Sequence, residues 1–369
     1  MQDNERRMYD LEYPAPEVGS DPAGGPTLIV ALQGYADAGQ AVEASADHLL
    51  AALDSRPVAS FNNDELIDYR SRRPAVTMDN HRITGMESLN LGIRVVRDTE
   101  GRSFLLLSGP EPDLRWEAFT EAVADLAEKF GVENTICLYS APMAVPHTRP
   151  LVVSAHGNTP SLVNSMFTYD SKVILPGSAS MMIERALHKR GRNVAGFTAH
   201  VPHYLAASPY PAATHELLDA VARAAGLVFP LRAIEHDITR VAGQLAEQVD
   251  DSAEIQQVVH HLEIQYDEEL ERYRSTHPKA MLPGEHDVPT GDEIGEEFER
   301  FLATLDSTGE DRPSGDVGGP QELPTEEEQD DVYPEDLEDA DTVGQEDDPE
   351  DVYPEDLHDA EDKDLDDDQ

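Results

Sequence analysis

Short apolar runs alternate with helical patterns over the first two thirds of the chain. Leu28–Leu32 is an apolar run typical of a buried strand. Val42, Ala46 and Leu49 follow it at helical spacing. A strand, a loop and a helix in this order are typical of α/β proteins, so the opening of the chain already predicts that class.

The pattern continues with a predicted hairpin and further strands and helices. The hairpin has Ile93–Val96 and Phe104–Leu107 as its arms and a turn at residues 98–101, so the sheet should be mixed and mostly parallel. Other strands are predicted at Thr135–Leu138, Leu151–Val153 and Val194–Phe197, and helices around Phe119–Phe130, Met182–Leu187 and Leu217–Ala222. Together these segments predict a layered α/β fold.

The pattern changes near residue 231. Residues 231–305 contain no convincing strand, and apolar residues recur at helical spacing between Ile255 and Tyr273. This apolar stripe needs a partner, either the α/β core or another subunit. We therefore predict four parts: a flexible N-terminal segment (1–26), an α/β core domain (27–230), a helical extension (231–305) and a disordered acidic tail (306–369).

The net charge of the chain is −48 over 369 residues, and it is spread unevenly. Residues 306–369 hold 29 Asp and Glu against Arg312 and Lys363. Such a segment cannot bury enough apolar surface to offset the entropy of ordering, which predicts disorder. The charge also argues against nucleic acid and anionic membranes as partners, because both would repel the chain.

The acidic tail contains a repeat. Asp331–Leu337 has the sequence DVYPEDL, and Asp351–Leu357 repeats it. One interpretation is a linear motif in two copies that docks on a basic groove. The other, which the composition favours, is a duplicated solubilising tail.

Cys137 is the only cysteine, and its apolar surroundings indicate a buried, inert thiol. Without an intrachain disulfide the chain fits a reducing compartment. Residues 1–25 have no apolar segment typical of a secretory signal, and no run approaches the ~18 residues of a membrane span. We therefore expect a cytoplasmic protein.

Two loops stand out, Pro146–Pro150 and His200–Leu205, because each follows an apolar run. They can meet only if their strands lie in one sheet, and the carboxyl ends of parallel strands are where open α/β sheets bind ligands. Including polar side chains near the other strands, the candidate ligand-binding residues are Asp37, Arg70, Arg73, Glu111, Arg115, His147, Arg149, His156, His200, His203 and Tyr204. Guanidinium groups and imidazoles suit a small anionic ligand.

Each candidate also has a purely structural interpretation. Arg70 and Arg73 could pair with neighbouring acids, and Asp37 could cap the helix that follows it. No catalytic triad, nucleophile elbow or phosphate-binding lysine loop is evident, so we assign no catalytic residues. The histidine spacing does not favour a metal site, and we expect no cofactor.

Five segments in order resemble the bacterial branch of the proteasome assembly chaperone 2 family. They are Gly34–Gly39, Asp68–Pro74, Gly109–Trp116, Pro146–Pro150 and His200–Leu205, and Leu262–Asp267 extends the match. The resemblance covers roughly residues 27–275. It implies a three-layer α/β/α sandwich, similar in architecture to nucleoside phosphorylases, that often assembles as a trimer. Eukaryotic and archaeal relatives act as scaffolds in proteasome assembly.

Two functional hypotheses follow. The first is a non-catalytic assembly or scaffold protein, homo-oligomeric and with a protein partner that is proteasome-related by resemblance alone. The second is a small-anion-binding enzyme, hydrolase-like or phosphorylase-like towards nucleosides, that uses the Arg and His side chains. Convergence of six side chains on one pocket with shifted pKa values would favour the enzyme, whereas dispersal or core ion pairing would favour the scaffold. The six are Asp37, Glu111, His147, Arg149, His200 and His203.

Overall fold

The computed structural model describes residues 8–13, 25–164, 166–169, 171–278 and 282–285. The strands are β1 (Tyr9–Leu11), β2 (Leu28–Gln33), β3 (Ser55–Phe61), β4 (Val76–Asp79), β5 (Arg82–Met86), β6 (Gly92–Arg97), β7 (Ser103–Pro110), β8 (Asn134–Met143), β9 (Val153–Gly157) and β10 (Asn193–Pro202). The helices are α1 (Ala41–Ala52), α2 (Asn63–Leu66), α3 (Trp116–Lys129), α4 (Pro160–Val163), α5 (Ala179–Lys189), α6 (Pro211–Ala225), α7 (Arg232–Asp250) and α8 (Ala253–Thr276). Short 3-10 turns cover Ala38–Gln40 and His203–Leu205.

Eight strands form one mixed sheet in the order β1-β3-β6-β7-β2-β8-β10-β9. The four neighbours β7, β2, β8 and β10 are mutually parallel, and antiparallel strands complete both sides. The pairing of β8 with β10 is the longest register, running from Asn134 opposite Asn193 to Met143 opposite Pro202. The carboxyl ends of the four parallel strands therefore share one edge of the sheet, which we call the carboxyl edge.

Helices cover both faces of this sheet. Successive strand residues point to opposite faces, so Ile29 lies in an apolar cluster with residues of α1, α6 and α7, whereas Leu28 lies in a second cluster with residues of α3 and α5. Because the central strands are covered on both sides, they read as continuous apolar runs in the sequence. The mixed, mostly parallel sheet and the α/β/α layering expected from the sequence are confirmed.

The helical extension begins with α7, which packs on α6 through Ile234. α8 follows, and its residues Tyr266 and Tyr273 are buried with Val152 and Phe167 in a smaller apolar cluster. The aromatic rings of Phe167 and Tyr273 are stacked with their centroids 4.1 Å apart. Tyr266 and Tyr273 of the α8 stripe thus contact the α/β core of the same chain, the first of the two partners considered for it, whereas Ile255 and Val258 at the other end of the stripe are exposed.

β4 and β5 form a separate two-stranded hairpin outside the main sheet. Val76 lies opposite Met86 and Met78 lies opposite Ile83, so these four apolar side chains share one face of the hairpin. All four are exposed, Met78 by 64% and Ile83 by 67%. The sequence analysis did not predict this hairpin: Val76–Asp79 alternates apolar and polar residues over only four positions, and the second strand has an irregular register.

The N-terminal segment differs from the expectation of a flexible lead-in. Tyr9–Leu11 pairs with β3 as an edge strand, and Met8 is buried in the core beside it. A three-residue strand next to Pro- and Gly-rich sequence gives too little pattern to predict. Residues 286–369, which include the predicted acidic tail and its repeat, lie outside the described residues.

Gly109 provides a test of the packing at the end of β7. Its φ of +121° is unfavourable for residues with a side chain, and an added Cβ would lie 2.8 Å from the Cα of Leu91. We expect Gly109→Ala to destabilise the fold by about 2 kcal/mol or more, measured by urea denaturation. Gly177→Ala is the control, since nothing lies within 4 Å of its added Cβ. Equal stability of the two variants would contradict this description.

Candidate functional site

The loops after β8 and β10 meet at the carboxyl edge. Tyr204 lies in the 3-10 turn after β10, and its hydroxyl oxygen accepts a hydrogen bond of 3.0 Å from the backbone N–H of His147. The same oxygen lies 2.7 Å from Nδ1 of His147. His203, beside Tyr204, is exposed. The two loops therefore contact each other, as parallel pairing of their strands requires.

Arg149 is held by helix α8. Its Nε and Nη2 donate to the two carboxylate oxygens of Asp267 at 2.9 and 2.8 Å, and its Nη1 donates to Oε1 of Glu263 at 3.0 Å. The hydrogen bonds to Asp267 raise the pKa of Arg149 above its ordinary value. Thr148 also donates to Glu263, at 2.6 Å, and the Tyr266 hydroxyl donates to the Pro150 carbonyl at 2.6 Å. These paired hydrogen bonds, here called the Arg149 clamp, fix the loop Pro146–Pro150 to α8, and the guanidinium is bound within the chain.

His200 lies inside β10, not in the loop after it, and it is buried. Its Nε2 is 2.9 Å from the Ser154 hydroxyl, and its ring stacks on Tyr169 with centroids 5.9 Å apart. Burial lowers the pKa of His200 to about 4. It is therefore a neutral packing residue at neutral pH.

Glu111 occupies the N-terminus of helix α5. It follows β7 and is only 7% exposed, and its Oε1 accepts a 2.6 Å hydrogen bond from the backbone N–H of Ala179. A side chain at Gly34 would collide with the Glu111 carboxylate, so the glycine makes room for it. A helix N-terminus attracts anions, and here a carboxylate of the protein itself takes that position.

Asp37 serves the N-terminus of α1 in the same way. Its two carboxylate oxygens accept hydrogen bonds from the backbone N–H groups of Val42 at 2.7 Å and Glu43 at 3.1 Å. Burial raises the pKa of Asp37, although these two donors act in the opposite direction. The capping interpretation considered for Asp37 describes what its carboxylate does in the structure.

The loop Asp68–Pro74, here called the arginine loop, is anchored by Arg72. Its Nε contacts Asp113 at 3.3 Å, and its Nη1 donates to the Gln33 carbonyl at 3.1 Å. The candidates Arg70 and Arg73 on either side are exposed and form no ion pair with described residues. Arg115, the fourth arginine of this surface, pairs with Glu65.

Three hydrogen-bonded side chains from β8, β9 and α5 form a group that the sequence analysis missed. Oε1 of Glu184 accepts from the Tyr139 hydroxyl at 2.5 Å, and its Oε2 lies 3.1 Å from Nε2 of His156. The hydrogen bond to Glu184 raises the pKa of His156, and burial is the main cause of the raised pKa of Tyr139. His156 lies inside β9 and partly covers Gly196. A glutamate within the apolar face of a predicted helix is the one sequence signal that could have indicated this contact.

Cys137 lies on β8 close to this group. It is fully buried, with Sγ 3.9 Å from the Ser180 carbonyl. Burial raises the pKa of the thiol well above its ordinary value. A thiol in this environment is a poor nucleophile.

Two small cavities lie at the carboxyl edge. One is bordered by Gly34, Glu111 and Ser178 and the other by Arg149, His200 and Tyr210, and each has a cavity volume of only about 10 Å³. Both are smaller than the roughly 300–1,000 Å³ of typical ligand pockets. Glu111 and Arg149 border different cavities, so the candidate residues do not converge on one cleft.

The described residues hold neither a candidate metal site nor a candidate membrane span. They contain no group of three or more His, Cys, Asp or Glu side chains arranged to hold a metal ion. Within the same ranges, no helix combines the length and the apolar character needed to cross a bilayer.

Comparison with known proteins identifies relatives of this chain. The model of the PAC2 family matches residues 31–249. A Corynebacterium glutamicum structure of unknown function is 62% identical with a TM-score of 0.71, covering 73% of this chain and 100% of its own. A Mycobacterium tuberculosis protein of unknown function is 46% identical with a TM-score of 0.70, covering 73% of this chain and 92% of its own.

A more distant structure shares the fold. It is a proteasome-assembly chaperone homologue from Mycobacterium tuberculosis, 24% identical with a TM-score of 0.58, and the alignment covers 63% of this chain and 99% of its own. Among curated proteins no match was found.

The burial of His200 predicts a pH dependence of stability. The folded-state pKa of about 4 lies below the ordinary 6.5, so between these values the unfolded chain binds a proton that the folded chain does not. His200 should therefore reduce the free energy of unfolding as the pH falls from 6.5 towards 4, by on the order of 3 kcal/mol. Urea denaturation across this range should show a steeper fall for the wild type than for His200→Asn. Parallel curves would contradict the assignment.

The position of Glu111 predicts rescue by a small carboxylate. Glu111→Ala should lower the melting temperature, because it leaves the N-terminus of α5 without its anion and opens a void. Sodium acetate should restore part of the loss relative to sodium chloride at equal ionic strength, since a ligand of the folded state stabilises it. Glu111→Gln, which keeps an acceptor oxygen, should gain less from acetate. An identical response of all three proteins to acetate would refute the assignment.

Proposed function

Because the chain belongs to the PAC2 family, we propose that it is a non-catalytic interaction protein with the role of an assembly chaperone, acting in the cytoplasm as a homo-oligomer. A trimer is the state that the family resemblance suggests. The partner is a protein, and the proteasome-assembly chaperone homologue that shares the fold makes a proteasome component the first class to test.

The observation that carries this proposal is that candidate ligand-binding side chains are hydrogen-bonded to other parts of the same chain. The Glu111 carboxylate is taken by α5, and the Arg149 guanidinium is taken by Asp267 and Glu263. An enzyme that binds a small anion needs such groups directed at the substrate with a cavity to hold it. At this edge the groups hold the protein together instead, which favours a rigid surface over a reaction site.

The hairpin β4–β5 supports the oligomer. An isolated two-stranded hairpin is only marginally stable in water, and Val76, Met78, Ile83 and Met86 expose one continuous apolar face. Exposed apolar patches of this kind mark protein interfaces. We assign this face to contact with a second copy of the chain.

The alternative, an enzyme acting on a small anion, makes a different prediction for the same sample. A bound substrate or product would be retained with the protein, and His203→Ala would release it. The exposed His203 and the neighbouring Tyr204 are the groups available for such a ligand. In our proposal no small molecule is retained in stoichiometric amount.

Native mass spectrometry of the full chain tests both points. We expect a homo-oligomer without a bound small molecule. Ile83→Lys should shift the distribution towards monomer, because a charge on the apolar face of the hairpin must be desolvated in the contact. Thr77→Lys is the matched control, since Thr77 lies on the same hairpin but points to its other face.

Two results would contradict the proposal. If the wild-type chain is a monomer, the proposed homo-oligomer does not exist. If Ile83→Lys and Thr77→Lys dissociate it equally, the apolar face of the hairpin is not part of the contact. A retained small molecule lost on His203→Ala would support the enzyme instead.

A further inference from the structure

The arginine loop has one anchored guanidinium and two free ones. Arg72 is engaged by Asp113 and by the Gln33 carbonyl, which fixes the loop at the ends of β2 and β7. Arg70 and Arg73 flank it, are exposed, and have no acidic partner among the described residues. The loop therefore presents two guanidinium groups to solvent on a fixed support.

The acids nearby do not neutralise these two groups through direct contacts. Asp64 accepts from the Tyr69 hydroxyl at 3.0 Å, Asp68 accepts from the backbone N–H of Arg70 and the Ser71 hydroxyl, Glu65 pairs with Arg115, and Asp113 pairs with Arg72. Each of these four acids, and also Glu87, which accepts from the backbone N–H of Ala75, has a donor other than the Arg70 and Arg73 guanidinium groups. Arg70 and Arg73 are thus the groups left to bind an added carboxylate.

Exposed apolar side chains lie around the arginine loop. Tyr35 is 74% exposed and follows the Gln33 carbonyl that Arg72 binds, Tyr69 precedes Arg70, and Leu114 follows Asp113. We call Tyr35, Tyr69, Arg70, Arg73 and Leu114 the platform. Two guanidinium groups beside two aromatic rings and a leucine suit a peptide that alternates acidic and apolar residues.

The chain itself contains such a peptide twice. Asp331–Leu337 and Asp351–Leu357 each carry Val, Tyr, Pro and Leu between acidic residues. The described part of the chain ends at Glu285, and the preceding Gly284 lies against Pro150 at the carboxyl edge. The arginine loop is anchored at the same edge through Arg72. Residues 286–330 separate this point from the first copy, and an extended residue spans about 3.3 Å, so the segment is long enough to reach the platform.

We propose that the platform is the docking site of the repeated DVYPEDL segment of this chain. The Arg70 and Arg73 guanidinium groups bind its carboxylates, and Tyr35, Tyr69 and Leu114 contact its Val, Tyr and Leu side chains. Covalent linkage raises the local concentration of the segment, and a second copy allows one molecule to occupy its own platform and a neighbour's. The contact does not depend on whether the chain oligomerises.

Trp116, the only tryptophan, reports on this site. It lies two residues after Leu114 at the start of α3, and its indole N–H donates to the Pro112 carbonyl. The test uses the full chain with Tyr333→Ser and Tyr353→Ser, which disables its own segments, and a synthetic peptide of residues 349–359. We expect a saturable change in Trp116 fluorescence that weakens as salt is raised.

Matched variants separate this docking from general attraction. In the same background, Arg70→Glu with Arg73→Glu should weaken peptide binding at least tenfold, whereas Arg56→Glu, an exposed arginine on β3, should leave it within about twofold. A scrambled peptide of the same composition should not bind. Absence of saturable binding, or equal binding to the platform variant and the Arg56 control, would overturn the proposal.

Discussion

The parallel pairing of β8 with β10 is the constraint on which the carboxyl edge depends. Its register brings Met143 opposite Pro202, so the loop with His147 and the turn with Tyr204 start side by side. The loop after β8 then reaches α8, and the Arg149 clamp holds the helical extension to the core. A shift of β10 by one residue would turn its side chains to the opposite face of the sheet and separate these contacts.

The charged groups of this edge mainly connect elements that are distant in sequence. Glu111 joins β7 to α5, Asp37 orders α1, and Arg149 joins the loop after β8 to α8. Half-buried charges need such partners, because an unpaired charge away from water is costly. The carboxyl edge is therefore rich in ionisable groups, and those named here are paired within the chain. Such an edge is a rigid surface of the kind that we propose is recognised by another protein.

The elements that could be predicted from the sequence are those whose burial produces a visible pattern of apolar residues. The central strands are covered on both faces, so their apolar runs stand out, and the hairpin of β6 and β7 has a clear turn. β3 was missed because Arg56 and Pro57 interrupt its apolar residues. Glu111, His147 and Arg149 follow the ends of parallel strands at the carboxyl edge, whereas His156 lies opposite Gly196, towards the other end of β10. The partners of these residues could not be predicted. Glu184 with Tyr139, or Arg149 with Asp267, are contacts between distant positions that only packing determines.

The single cysteine has a practical consequence for studying this chain. Cys137 is fully enclosed by the core, and its thiol stays protonated at neutral pH. Maleimide reagents attack accessible thiolates, so the native residue needs no replacement before labelling. A cysteine introduced on an exposed position would be modified selectively in the folded protein. Spin labels or fluorophores can thus be attached, and distances measured, on an otherwise unaltered background.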